Sequence, residues 1–131
     1  MDDPEAPYHA HIYYVPERRP VAEDLQRRLK QAKATREIAQ LLFVGELRDG
    51  KVGPHPIPQF EIHFRKQALP AIRPVLEASG LTVLVHPLTD DDLADHTRLA
   101  QWIGEPIELD LTTLDPPGTN QGLARFARTD F

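Results

Sequence analysis

The 131-residue chain contains no cysteine, which excludes disulfides, thiolate zinc sites and thiol nucleophiles. It also lacks an apolar run long enough to span a membrane, and its acidic first residues (MDDPEAP) are unlike a signal peptide. Fifteen Lys and Arg against twenty Asp and Glu give a net charge of −5, which argues against nucleic-acid binding. We therefore expect one cytoplasmic domain that binds neither nucleic acid nor membranes.

The hydrophobic pattern alternates between strand-like and helix-like segments. Strict alternation or dense β-branched and aromatic residues predict strands at 8–15, 41–44, 59–64 and 81–86. Apolar residues at helical spacing predict helices at 20–33, at 67–79 and from 89 or 90 through 103. The pattern also allows a short strand at 107–109, and we expect an irregular tail over 115–131.

The order β-α-β-β-α-β, followed by one extra helix, is typical of the ferredoxin-like α+β fold. We therefore predict a single domain over residues 1–131, with its core at about 8–110. Its antiparallel sheet should carry the helices on one face, with the four predicted strands in the order 4-1-3-2. The opposite face of the sheet is then left open.

The chain has six histidines, and most of them fall in compact motifs at the predicted elements. Because strand side chains alternate between faces, His9 and His11 share one face of the first strand, and Glu61 and His63 share one face of the third. His86 ends the fourth strand. If the apolar residues of each strand face the helices, these five polar side chains converge on the open face.

Neutral imidazole is the commonest metal ligand in proteins, and two histidines at i and i+2 on a strand can grip one ion. Adding His86, or the carboxylate of Glu61, would complete a three-ligand set with His9 and His11. Two histidines and a carboxylate suit non-haem Fe(II), whereas three histidines suit zinc or iron. The alternative is that the pair at 9 and 11 is only two polar residues on a solvated strand face.

Two further histidines and the lone tryptophan each allow two interpretations. His55 lies in the rigid loop Gly-Pro-His-Pro at 53–56, where it can act as an acid or base or can belong to a surface turn. His96 lies in the third predicted helix, as a catalytic group or as a packing residue. Trp102 is more typical of a core or subunit-contact anchor than of a substrate platform.

These motifs, taken together and in this order, resemble those of the DOPA 4,5-dioxygenase family from about residue 8 to 110. They are HAHIYY (9–14), GPHP (53–56), FEI (60–62), LVHPLT (84–89), DH (95–96) and WIG (102–104). The resemblance implies a ferredoxin-like fold and extradiol cleavage of a catechol such as L-DOPA, with Fe(II) and O₂. Phe60 stands where the family often has Tyr, and His63 stands where other members can lack histidine.

The family motifs match His9, His11, His55, His86, His96 and Glu61 by position, and the strand geometry suggests their roles. His9, His11, His86 and Glu61 are the candidate metal ligands, and we expect His11 and His86 to be joined by either His9 or Glu61. Bidentate binding of the catechol would lower its phenol pKa and place it beside O₂. For proton transfer we favour His55 over His96. We assign substrate binding to His63, Tyr13 and Arg65, with Arg73 as another possible partner for a substrate carboxylate.

Two other classes of protein fit the same residues. One is a metal-dependent enzyme of a different reaction, for example a zinc hydrolase or isomerase that uses the same histidine face. The other is a non-catalytic binding module, since ferredoxin-like domains have many functions. The exposed sheet face and short edge strands also make a homodimer plausible, in which a neighbouring subunit could complete the site.

Overall fold

The computed structural model describes residues 3–127, and its central element is an antiparallel sheet of five strands. The strands are β1 (Pro7–Tyr13), β2 (Leu41–Val44), β3 (Gln59–Arg65), β4 (Val83–Pro87) and β5 (Gln101–Ile103). Their order across the sheet is β2-β3-β1-β4-β5. The predicted α+β class and the order 4-1-3-2 are confirmed, and β5 extends the sheet beyond β4.

Two long helices, α1 (Arg19–Ala34) and α2 (Leu69–Ala78), cover one face of this sheet. Leu29 of α1 and Ile72 of α2 are fully buried against the apolar faces of the strands, which include Ile12 and Ile62. Burying such side chains contributes about 1.5–3 kcal/mol each. This free energy determines which side chains of each strand face the helices. The polar residues of β1, β3 and β4 are thereby directed to the other face.

The helix predicted over 89–103 is wrong. The structure gives one helical turn, α3 (Asp92–Asp95), and then the strand β5. Asp91 caps the start of this turn, because its carboxylate accepts from Ala94 N–H. The turn ends at once, because the N–H groups of Thr97 and Leu99 both donate to the Ala94 carbonyl and so leave the i→i−4 pattern. Trp102 pairs with Leu84 of β4, so this segment is stabilised as an edge strand rather than as a helix.

The segments after β5 also differ from expectation. Residues 107–109 form no strand among the described residues, and Asp110 N–H donates to the Pro54 carbonyl in the 53–56 loop. The expected irregular tail contains a short helix, α4 (Gln121–Ala124), and is bound to the α3 region through Asn120. Among residues 3–127, no helix combines the length and apolar character needed to cross a bilayer.

Candidate metal centre

Three imidazoles form a row across the open face of the sheet. His9 is directly opposite His63 on β3 and His86 on β4, and its ring stacks on that of His63 with 3.9 Å between centroids. One step along β1, His11 lies opposite Glu61. The structure thus brings together the five polar residues for which strand phase predicted one face.

Two segments outside the first four strands add the remaining histidines. The 53–56 loop is closed by reciprocal backbone hydrogen bonds between Val52 and His55, and it holds the His55 ring 4.0 Å from that of His11. His96 follows α3, and its ring lies 4.3 Å from that of His86. All six histidines are buried.

The hydrogen bonds of His11 and His86 determine where their protons lie. His11 Nδ1 is 3.1 Å from the side-chain amide oxygen Oε1 of Gln59, and His86 Nδ1 is 2.7 Å from the backbone carbonyl of Pro87. Since an oxygen acceptor requires N–H, both rings carry their proton on Nδ1 and keep a lone pair on Nε2. These two Nε2 atoms are only 3.0 Å apart. Two facing lone pairs at this distance repel each other unless a cation binds them both.

His9 supplies a third free lone pair. Its Nδ1 lies 3.6 Å from a Glu61 oxygen, and its Nε2 is buried with no hydrogen-bond partner within residues 3–127. One ring nitrogen from each of His9, His11 and His86 lies within 4.8 Å of the other two. An orphaned buried nitrogen beside two facing lone pairs fits a three-histidine metal site, and the hydrogen-bonded Nδ1 atoms of His11 and His86 are typical of metal-binding histidines.

Two other groups have the same spacing of donor atoms. In the group of His11, His55 and His96, the His96 Nδ1–H donates to the Asp92 carbonyl at 2.8 Å, which leaves its Nε2 free. In the group of His9, Glu61 and His63, His63 Nδ1 accepts from a backbone N–H of the tail, and its Nε2 lies 2.7 Å from Glu61. Both ring nitrogens of His63 are therefore engaged.

Burial keeps the cluster neutral. The pKa values of His9, His11 and His86 are lowered well below the ordinary value, first by burial and then by the neighbouring imidazoles. The same causes lower the pKa of His55 to about 3. Burial alone would raise the pKa of Glu61, but the hydrogen bond from His63 and the charges around it hold it below its ordinary value. Neutral imidazoles beside a carboxylate are the ionisation states that bind a metal.

A cavity of about 350 Å³ opens over the histidines. Five of the six histidines line it, together with Glu61, and His63 does not. The apolar part of its wall consists of Val52, Pro54, Leu88 and Leu114. Two arginines, Arg48 and Arg125, and two acidic residues, Glu61 and Asp92, also line it, so the cavity combines an apolar wall with charges of both signs.

The three proposed substrate contacts are placed outside this wall, since Tyr13, His63 and Arg65 do not line the cavity. The Tyr13 hydroxyl is 2.6 Å from His55 Nδ1. Arg65 donates to the Glu5 carbonyl and lies over the Phe126 ring. Arg73 pairs with Glu77 within α2, on the helical side of the sheet.

Sequence reasoning missed several residues of the site. Gln59 has the strand phase of Glu61 and was detectable by that signal, and Asp92 lies four residues before His96, one helical turn away. The tail residues Asn120 and Arg125 carried no signal, because the irregular pattern after residue 115 does not show where that segment docks. The structure places both of them on the cavity wall.

Comparison with known proteins identifies the family. Residues 8–113 match the sequence model of the Dopa 4,5-dioxygenase family. The chain belongs to this family. The matched region contains all six histidines as well as Glu61 and Gln59.

Two curated relatives and one solved structure show how far the likeness extends. This Dopa 4,5-dioxygenase family member is 32% identical to an "Uncharacterized 21.2 kDa protein" of Botryotinia fuckeliana and 31% identical to the DOPA 4,5-dioxygenase of Amanita muscaria. The matches cover 80% and 87% of this chain but span only 61% and 52% of those proteins. A crystal structure of a Nostoc punctiforme protein described as a "putative dioxygenase" superposes with a TM-score of 0.72 at 28% identity, covering 86% of this chain and 96% of that one.

Proposed function

We propose that this protein is a non-haem Fe(II) extradiol dioxygenase that cleaves the ring of a catechol such as L-DOPA with O₂. The observation that carries the proposal is the pair of facing lone pairs on His11 and His86, 3.0 Å apart at the base of the cavity. The orphaned Nε2 of His9 supplies the third donor. Membership of the Dopa 4,5-dioxygenase family supports the choice of reaction.

His11, His86 and His9 would hold the ion, and each ring already has its other nitrogen directed to an oxygen atom of the protein. Glu61 is an alternative to His9, but its oxygen is shared with His63. When bound, Fe(II) supplies Lewis acidity toward the two catechol oxygens and open positions that bring substrate and O₂ together. The three histidines hold this geometry fixed because they lie on the two paired strands β1 and β4.

The remaining residues of the cavity orient the substrate and handle protons. The apolar wall formed by Val52, Pro54 and Leu88 suits an aromatic ring, and Arg48 and Arg125 suit an anionic substituent on it. His55 and His96 border the same space, and of the two we assign to His55 the donation of a proton or hydrogen bond to a reacting oxygen.

Oxygen consumption with L-DOPA, after anaerobic loading of the protein with Fe(II), tests the proposal. The loaded wild type should consume O₂ and form a yellow muconic-semialdehyde product, while His11→Ala and His86→Ala should lose both the metal and the activity. His63→Gln is the matched control for metal content, because His63 is equally buried but has both nitrogens engaged. Metal retention and full activity in both alanine variants would refute the assignment.

A zinc hydrolase or isomerase is the second candidate, because a three-histidine set also suits Zn²⁺ with one open position. Metal analysis of the isolated protein, paired with activity under anaerobic conditions, separates the two candidates. Turnover that needs Zn²⁺ and proceeds without O₂ would favour the hydrolase. A protein that binds neither a divalent metal nor a catechol would instead be a binding module.

A further inference from the structure

Tyr13 is a buried residue whose side chain ends at the site without entering the cavity. It follows His11 by two residues on β1, so it lies on the same face of the sheet. Its side chain is 2% exposed, and its ring stacks on Trp102 with 6.1 Å between centroids and 22° between planes. Its hydroxyl oxygen is 2.6 Å from His55 Nδ1, a short hydrogen bond between two buried groups.

Counting protons decides the direction of this hydrogen bond. A phenol has one proton to donate, and within residues 3–127 the Tyr13 hydroxyl has His55 Nδ1 as its partner. If Nδ1 carried the imidazole proton, it would donate to Tyr13, and the buried phenolic proton would be left without an acceptor. Donation from Tyr13 to Nδ1 avoids that loss, and it leaves the proton of neutral His55 on Nε2.

His55 is thereby set apart from the neighbouring histidines. His11, His86 and His96 each direct Nδ1–H to an oxygen and present a bare Nε2. His55 receives its hydrogen bond on Nδ1 and presents an N–H instead. Its ring is tilted over His11 at 4.0 Å between centroids, beside the nitrogens that would hold the ion.

We infer that Tyr13 is a positioning residue that fixes His55 as the Nε2–H tautomer, so that His55 acts as a hydrogen-bond donor in the cavity and not as a metal ligand. The catalytic meaning of this tautomer rests on the proposed function, but the tautomer itself does not. An N–H at this place can stabilise a negatively charged oxygen of substrate or O₂. It also excludes His55 from the second group of possible ligands, since a protonated nitrogen cannot bind a metal.

Tyr13→Phe is the direct test, with Tyr14→Phe as the matched control. Tyr14 is the next residue, is also 2% exposed, and donates its hydroxyl proton to Asp49 at 2.6 Å, away from the histidines. Phenylalanine keeps the ring against Trp102, so only the hydroxyl is lost. The protonated nitrogen of His55 is identified by NMR of ¹⁵N-histidine-labelled full-length protein, metal-free and loaded with diamagnetic Zn²⁺, with the His55→Gln spectrum to assign the resonance.

The wild type and Tyr14→Phe should show His55 protonated on Nε2, and Tyr13→Phe should shift the proton to Nδ1 or to a mixture of both sites. In the Fe(II)-loaded protein, Tyr13→Phe should lower kcat for L-DOPA by about 10²-fold with little change in KM. A wild-type His55 protonated on Nδ1 would overturn the inference without any variant. If His55 stayed protonated on Nε2 in Tyr13→Phe, the inference would also be overturned, whether or not the protein cleaves catechol. Absence of catechol cleavage in the wild type would refute the proposed function and leave the tautomer assignment standing on the NMR result.

Discussion

At the scale of single residues, the candidate metal ligands His11 and His86 each depend on an oxygen acceptor that holds the Nδ1–H of the ring. For His11 this partner is Gln59, which is 1% exposed and lies opposite Tyr13 on β3. The hydrogen bond fixes both the ring orientation and the free lone pair on Nε2. Gln59 therefore contributes to metal binding without touching the metal.

Gln59→Leu should weaken metal binding by roughly 10- to 100-fold, because it removes the acceptor for the His11 Nδ1–H. Gln26→Leu is the matched control, since Gln26 is also buried but donates to the Gly45 carbonyl beside α1. Titration of both variants with Zn²⁺ by calorimetry measures the effect. Equal affinities in the two variants would show that Gln59 does not orient His11.

The sequence was most informative about which face of the sheet each strand residue occupies. Alternation on β1 and β3 was sufficient to place His9, His11 and Glu61 on one face, because apolar neighbours such as Ile12 and Ile62 must face the helices. Proton positions were beyond its reach. The tautomer of a ring such as His86 depends on a carbonyl within hydrogen-bond range, which only the folded backbone defines.

At the scale of elements, the segment after β4 shows why periodicity alone misled. The apolar spacing over 89–103 fits a helix, but the helix that Asp91 caps ends after one turn, where the N–H groups of Thr97 and Leu99 both donate to the Ala94 carbonyl. Trp102 then stacks against Tyr13 across the sheet. The contact between Trp102 and Tyr13 joins residues that are distant in sequence, and the end of α3 is set by backbone hydrogen bonds. Counting the spacing of apolar residues includes neither.

The tail is the element that closes one side of the cavity, and Asn120 is its main anchor. Its amide donates to the Thr89 carbonyl at 2.7 Å and to the Asp95 carboxylate at 3.1 Å. Asn120→Ala should therefore loosen residues 115–127 and make the backbone N–H of Ala127 exchange roughly tenfold faster. Thr112→Ala, which removes a surface hydroxyl bonded to Asp110, should leave that exchange unchanged. Hydrogen exchange read by NMR decides between the two outcomes.

At the scale of the whole molecule, the buried neutral histidines tie stability to pH. Burial, and then neighbouring imidazoles, lower the folded-state pKa values of His9, His11 and His86, and that of His55 falls to about 3. In the unfolded chain these groups titrate near about 6.5. Above that pH neither state takes up protons, whereas below it the unfolded state binds protons that the folded state does not. Stability is therefore lost as the pH falls through about 6.5.

For the metal-free protein we expect the free energy of unfolding to decrease by up to about 1.4 kcal/mol per pH unit for each of these four histidines. Urea unfolding at a series of pH values between 7.5 and 5.5 measures this slope. These pH values lie above the range in which Glu61 takes up a proton. His55→Gln should remove one histidine's share of it. A free energy of unfolding that is constant over this range would contradict the neutral cluster.

The ferredoxin-like sheet was predictable because each strand and helix up to β4 has a clear hydrophobic periodicity, and their order β-α-β-β-α-β is typical of that fold. The fifth strand was not predictable in the same way, since three residues at an edge leave too short a pattern. A homodimer, expected from the open face and edge strands, stays a prediction. Sedimentation of the metal-loaded protein is its test.

The central claim is that the histidine face supports a dioxygenase reaction, and labelled oxygen tests it most directly. Fe(II)-loaded protein is supplied with L-DOPA and ¹⁸O₂, and the open-chain product is analysed by mass spectrometry. The account predicts that both atoms of one O₂ molecule enter the ring-opened product in the wild type, and that His11→Ala forms none. A product that carries no labelled oxygen, or equal yields of labelled product from the wild type and His11→Ala, would contradict it.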